Sequence, residues 1–574
     1  MKQMKVIPPH ITPYIAEQDY DRYTPIDHAV WRYVMRQNHH ALQHTAHAAF
    51  VDGLRQSGIE TEKIPRVSEM NACLSKIGWG AVIVNGLIPG AVFYELLASG
   101  ILPIAAEIRK LSNIEYTPAP DIIHEAAGHA PILFDSEYRK YVQTIGSIGT
   151  KAFSMKERSE AFEALRKLTI VMEDPKSTPE EKAAAQKLAE EKQHAVLELT
   201  EAEKVSRLFW ATVEYGLIGE LGDPKIYGAG LLSSVGESKH CFTGAVKKLP
   251  YSVEACAASP KIVTEMQSKL FVCRSFDELM EGVQALADTM AFRVGGTESL
   301  ERAVRSRSVA TFEFNSGIAV TGVVHGLIKD SNGEAIYVNT TGPTALSANN
   351  RQLEGHGKDY HAKGFGTPIG KLQGHIAIET CDDDALAGMG IATGNTVQLQ
   401  FESGVSVSGR IKGMLKNGQR AMLISFDDCT VTLDGKELFK KEWGTYDMAV
   451  GSRIVSAYPG AAEPSSYYDP PEPQLAPPHE PPAAWTELER LYQQVAAIRE
   501  QNNLTAGCIQ ELLDIHQVLC RSYPNDWLLR LELLELASEH AGLNQLELPL
   551  RDELQELSKV DSLANLIKNG LSVL

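Results

Sequence analysis

From Tyr20 to about Ala291 apolar residues recur every three to four positions, as in DHAVWRYVMRQ, AVFYELLASGILPIAAEIRKL and VSRLFWATVEYGLIGEL. That periodicity predicts helices sharing one core. Within this stretch, residues 154–204 are rich in Ala, Glu, Lys and Leu with PKSTPEE as a break, which predicts a charged helical hairpin inserted in the domain, either a lid or a decoration. Beyond Val309 the period drops to two, in TFEFNSGIAVTGVVHG, TVQLQFESGVSVSGRIKG and AMLISFDDCTVTLDG, with NG, SG and DG between runs. A β-rich domain over 309–458 follows. Residues 459–483 are proline-dense and read as a semi-rigid linker. WTELERLYQQVAAIREQ, IQELLDIHQVLCRSY and NDWLLRLELLELASEH then predict a small helical module over 484–574, with Asn525 or Asp526 as a cap. The expected fold class is multidomain: a mainly α domain over 1–308, then the β-rich unit and the helical module.

Length agrees, since 574 residues exceed what one core organises. With 73 acidic against 55 basic residues the net charge is −18, which disfavours nucleic acid as a partner. The first twenty residues hold no apolar core of signal-peptide length. No stretch approaches the roughly 18 apolar residues of a membrane span. A cytoplasmic protein, not associated with a membrane, is expected. The eight cysteines show no CxxC pair and read as reduced.

The chemistry concentrates in YTPAPDIIHEAAGHAPI, residues 116–132. Zinc proteases place two histidines four apart on one helix face, whereas His124 and His129 are five apart, about 140° around an ideal α-helix. Both imidazoles then meet one ion only if the helix ends between them, which Gly128 and Pro131 favour. A third, anionic ligand is needed. Glu214 in RLFWATVEYG is the best candidate, a carboxylate in an apolar, aromatic helix that needs a cation or an ion pair such as one with Arg207. Two His and one carboxylate make the facial triad of oxygen-activating iron(II).

YTPAPDIIHEAAGHAP, FWATVEYGL and IYGAGLLSSVGE, in this order, give residues 20–290 a resemblance to the catalytic domain of the pterin-dependent aromatic amino acid hydroxylases. The resemblance implies that fold for residues 1–308, with Fe(2+) held by His124, His129 and Glu214 and a tetrahydropterin as two-electron donor. No GxGxxG follows a strand to seat a nicotinamide or flavin instead. It implies that Arg109 grips the substrate carboxylate with Thr117 assisting, that Trp210 walls the aromatic ring, and that Ser233 lies beside substrate and His124. For the pterin it implies stacking on Phe93, an approach by Glu125, and contacts from Ile88 and Gly90 mostly through backbone. Phe209 stands where several members have tyrosine, which removes one hydroxyl. Val263, in PKIVTEMQSKLFV, matches a specificity position and favours phenylalanine over tyrosine. The implied reaction converts phenylalanine, dioxygen and tetrahydropterin to tyrosine and 4a-hydroxytetrahydropterin.

Tyrosine and tryptophan hydroxylation are the alternatives within the family. A zinc hydrolase with Glu125 as base lacks the HExxH spacing, and a non-catalytic scaffold is at odds with the retained ligands. With about 20 residues ahead of the matching region, no regulatory domain is expected there. The crowded histidines His39, His40, His44 and His47 read as a solvated polar face, and EGHGKDYHAKGFGTPIG as a mobile loop. The apolar run LLRLELLELASEH has two readings, self-association into a homo-oligomer or packing within the chain.

Overall fold

Helix Pro25–Leu42 starts where the sequence supplies a full cap: Thr24 Oγ1 accepts from the Asp27 amide, Asp27 accepts from the Thr24 amide, and Pro25 opens the first turn. It is buried around its circumference, from Val30 and Val34 to the guanidinium of Arg32. One side packs in the helical domain and the other meets the C-terminal helices. The computed structural model describes residues 5, 7–84, 88–114, 121–173, 177–194, 199–261, 266–469, 484–501 and 504–574.

The first domain adds two small sheets to its helices. Strands Ile15–Ala16, Gly80–Val84 and Ile101–Ala105 form one, with the last two parallel. Asp223–Ile226, Leu217–Glu220, Lys269–Cys273 and Lys247–Pro250 form the other. The hairpin expected at 154–204 contains helices Lys156–Glu173 and Pro179–His194, joined across by Lys192 to Glu160 at 2.6 Å. Of the crowded histidines, His39, His40 and His44 are exposed, whereas His47 caps helix Ala48–Gln56.

The β-rich unit runs from Val309 to Pro459 as two antiparallel sheets. The first carries Val309–Phe314, Ile318–Lys329, Ala335–Ala348 and Ile454–Pro459; the second carries Thr396–Gln400, Ser406–Asn417, Arg420–Leu433, Lys436–Phe439 and Tyr446–Ala449. The DG signal closes a two-residue hairpin at Asp434–Gly435, both at positive φ. Two expectations change here. The 353–365 segment is tied down, because Leu346 and Thr344 donate to the carbonyls of His356 and His361, and Thr340 to that of Phe365. The linker begins later than its composition suggests. Residues 459–469 lie on the first sheet, where helix Pro464–Tyr467 buries Tyr467 and its hydroxyl donates to Pro343 O. The remaining linker residues, 470–483, are outside the described residues.

Helix Leu528–Glu539, in the LLRLELLELASEH run, is the hub of the C-terminal module. Every residue from Leu528 to Ala537 is buried. Its amide at Leu529 donates to Asp526, the cap expected from the sequence. Two of its acids face helix Pro25–Leu42: Glu532 forms a fork with Arg32 at 2.5 and 3.0 Å, and Glu535 pairs with Arg36 and, at 3.0 Å, with Arg499. The Tyr33 hydroxyl donates to Leu566 O and its ring meets Trp527 edge-on. Of the two readings of this run, packing within the chain is the one adopted.

Candidate metal centre

His124 and His129 lie on one continuous helical segment, and the expected break between them is absent. Ile123–His129 is a π-helix that runs on into Ala130–Ile132. An i→i+5 register sets residues five apart one turn above each other, so the spacing that puts two histidines on different faces of an α-helix puts these on one face. Gly128 serves close approach rather than termination: a Cβ there would lie 2.6 Å from Ala229 O. Glu214 ends a second π-helical turn, Trp210–Glu214, in which the Tyr215 amide donates back to Trp210 O. The Gly-Ala-Gly turn of IYGAGLL packs on both, since a Cβ on Gly228 would fall 2.5 Å from Glu214 O. Gly128→Ala is expected to cost about 1–3 kcal/mol by overpacking. The same substitution should lower iron occupancy by displacing His129, as melting temperature and metal titration will show.

The three donors converge. His124 Nε2 and His129 Nε2 are 3.2 Å apart, Glu214 Oε2 is 3.1 Å from the first and Oε1 is 3.3 Å from the second. Donors about 2.2 Å from an ion on one octahedral face stand about 3.1 Å apart, so this set fits a facial triad. Arg207, the alternative partner for Glu214, pairs with Glu203 at 2.7 Å. Burial would push His124 down, but the Glu214 carboxylate outweighs it and raises the imidazole to about 9. Against its own burial, the two imidazoles hold Glu214 well below the usual carboxylate range.

Ser233 fixes which nitrogen of His124 faces this cluster. Its hydroxyl donates to Ala229 O at 2.8 Å, which leaves its lone pairs to accept from His124 Nδ1–H at 3.0 Å. Nε2 is therefore the nitrogen that faces the metal position, and its lone pair becomes available once an arriving cation displaces the proton shared with Glu214. Ser233→Ala should weaken ferrous binding about 10–100-fold, as measured by competition with a chelator.

Arg109 is buried, and its fork is held by Asp121: Nε to Oδ2 at 2.7 Å and Nη2 to Oδ1 at 2.9 Å. Among the described residues Nη1 makes one contact, at 3.5 Å with Ile114 O, which leaves it able to donate to a ligand. Asp121 also accepts from the His124 amide at 3.0 Å, so one carboxylate orients both the arginine and the first histidine. The sequence reading missed Asp121, although an Asp three residues before His124 sits where helices are capped.

Phe93 and Phe209 meet edge to face, with centroids 5.3 Å apart. Phe209 is buried among rings, which accounts for an apolar residue there. Trp210 leans on Tyr215 at 4.8 Å and donates to Gln267 Oε1 at 3.4 Å. Glu125 is buried, with Oε2 3.8 Å from His129 Nε2, and burial raises its carboxyl. The Ile88 side chain packs in a small cluster with Ile11 and Val92, and Gly90 is exposed at the start of helix Gly90–Ala98. Thr117 and Val263 are outside the described residues.

Behind Trp210, the buried Glu237 accepts from the Gln267 amide at 3.0 Å, while its Oε2 has no hydrogen-bond partner among the described residues. Burial pushes Glu237 up to about 7. Its folded-state value exceeds the ordinary 4.5, so the folded chain holds this proton longer than the unfolded chain, and stability is lost as pH rises from 4.5 through 7. Glu237→Gln should therefore gain on the parent over that window, by about 3 kcal/mol at most, in melting curves taken at pH 5 and pH 8.

Residues 15–167 and 192–295 match the family model described as biopterin-dependent aromatic amino acid hydroxylase. The unmatched 168–191 lies inside the helical hairpin. The chain is 28% identical over 270 residues to the phenylalanine-4-hydroxylase of Chromobacterium violaceum, covering 47% of this chain and 76% of that one. With that of Pseudomonas aeruginosa it is 28% identical over 293 residues, covering 50% and 94%. The crystal structure of the Chromobacterium violaceum phenylalanine hydroxylase with bound oxidised Fe(III) aligns at a TM-score of 0.38 and 25% identity, over 48% of this chain and 86% of that one.

Proposed function

We propose, from the premise that this chain belongs to the biopterin-dependent aromatic amino acid hydroxylases, that residues 1–308 hydroxylate phenylalanine to tyrosine. The observation that carries this is the convergence of His124, His129 and Glu214 within 3.1–3.3 Å of one another, with Ser233 fixing the first imidazole. The donor set of two neutral nitrogens and one carboxylate suits ferrous iron. Bound there, iron would activate dioxygen and a tetrahydropterin would supply two electrons, one oxygen atom going to the ring and the other to the pterin as 4a-hydroxytetrahydropterin.

The protein's part is positioning. His124, His129 and Glu214 hold the ion from one side. Arg109, oriented by Asp121, offers Nη1 to the amino-acid carboxylate, with Thr117 assisting. Trp210 walls the substrate ring, and Val263 adds an apolar contact that favours phenylalanine. Phe93 presents a face for pterin stacking beside Phe209, Glu125 accepts from the pterin edge, and Ile88 and Gly90 contribute backbone. Tyrosine and tryptophan are the alternative substrates.

The β-rich domain at 309–458 and the helical module at 484–574 are separate units by this reading, joined by the proline-rich segment. Because the apolar residues of Leu528–Ala537 are buried within the chain, a homo-oligomer through the C-terminal helices would use other faces, such as exposed Leu548. Among the described residues no helix is long and apolar enough to cross a membrane, and a cytoplasmic location fits the reduced cysteines. The test offers phenylalanine, tyrosine and tryptophan together to the iron-loaded chain with tetrahydropterin. Tyrosine formed from labelled phenylalanine should dominate; predominance of dihydroxyphenylalanine or hydroxytryptophan would overturn the substrate assignment.

A further inference from the structure

A second convergence of metal-binding side chains lies in the β-rich domain, in residues the hydroxylation chemistry leaves unused. His356 Nδ1 and His361 Nε2 are 3.4 Å apart, and each is 4.0 Å from the same oxygen, Asp447 Oδ2. The histidines come from the 353–365 segment held against strand Ala335–Ala348, and Asp447 from strand Tyr446–Ala449 of the other sheet. We propose that His356, His361 and Asp447 form a second metal site, for a divalent ion of the zinc class, which pins the two sheets of this domain together.

The carboxylate is the main argument. The Asp447 side chain is 2% exposed. Its Oδ1 accepts from Ser425 Oγ at 2.5 Å and the Tyr360 hydroxyl interacts with the carboxylate, yet among the described residues no donor reaches ordinary hydrogen-bond geometry at Oδ2. At 4.0 Å both imidazoles are beyond hydrogen-bond range, so they surround this oxygen without satisfying it. A buried, unpartnered carboxylate oxygen is costly and calls for a cation.

Shape selects the class of ion. The three donor atoms form a triangle whose centre is about 2.2 Å from each corner, the length of a zinc–nitrogen or zinc–oxygen bond. From that centre the donors subtend about 100°, 130° and 130°, a trigonal arrangement that a fourth donor would draw toward a tetrahedron as the two 4.0 Å edges shorten, whereas the first-domain cluster has the tighter edges of an octahedral face. The two nitrogens share a long hydrogen bond of 3.4 Å, one that an ion between them would replace. Tyr360 packs edge-on against both rings.

A third cluster, His516, Cys520 and Glu553, is weaker because Arg530 already neutralises Glu553 at 2.7 Å and Cys520 is exposed. It is nevertheless removed from the test. The full chain carrying His124→Ala, Glu214→Ala and Cys520→Ser is loaded with zinc chloride, desalted and analysed for metal, then loaded with cobalt(II) for its visible spectrum. About one zinc per chain and the intense visible bands of four-coordinate cobalt are expected. Adding His356→Ala, the more exposed ligand, or Asp447→Asn should lower retained zinc at least about fivefold with the far-UV spectrum unchanged. If Asp447→Asn fails to fold, His356→Ala decides alone. A folded background chain that retains no zinc, or zinc that persists after His356→Ala, overturns the proposal. Because Glu214 is absent throughout, neither result depends on the hydroxylase assignment.

Discussion

Glu214→Ala is expected to abolish iron retention and hydroxylation together while leaving the chain folded. Partners that only orient a ligand cost about 10–100-fold when removed, and loss of the anionic ligand itself should exceed that. Glu214→Gln gives the sharper version, because it keeps the side chain's volume and removes its charge. His124 owes its rise to about 9 to the Glu214 carboxylate, working against burial. With that charge gone burial prevails, and His124 should titrate well below 9 in an NMR titration of the iron-free variant. Iron binding and turnover that survive Glu214→Ala would remove the triad from consideration.

The second large effect lies far from the metal. Glu532 and Arg32 are 3% and 5% exposed in their side chains, and each is the other's bidentate partner. Glu532→Ala leaves a guanidinium buried with Glu62 O as its remaining hydrogen-bond partner among the described residues. Breaking one side of a buried pair costs about 3–5 kcal/mol, whereas replacing both sides with apolar groups of similar volume is often neutral. Glu532→Ala should therefore loosen the C-terminal helices from the first domain, seen as faster hydrogen exchange across Leu528–Glu539. Arg32→Met combined with Glu532→Leu should restore most of the protection. Equal exchange in parent and single variant would mean that this pair does not hold the module.

Much of this architecture is visible in apolar periodicity, because helices on a shared core and strands with alternating faces write different periods. The π-helical turns are not. A spacing of five suggests a broken helix when 3.6 residues per turn is assumed, and the widened turn is selected by contacts distant in sequence, with Gly128 and Glu214 O both packed on the Gly228–Gly230 turn. The convergence of His124, His129 and Glu214 could be read because the residue types are few and their motifs specific. The orientation of Arg109 by Asp121 could not, since an aspartate in a loop offers no sign of its partner. The same holds for His356 and His361, which read as part of a glycine-rich loop until the fold brings Asp447 from another sheet beside them. The C-terminal apolar run shows the converse limit: a helix buried on all sides and one with an exposed sticky face look alike until its neighbours are known.

X-ray absorption on the ferrous-loaded full chain tests most directly whether these distant side chains hold the iron. Two imidazole scatterers with oxygen neighbours are predicted, falling to one imidazole in His129→Ala. A thiolate shell, or an imidazole count unchanged by replacing His124 and His129, would contradict the account.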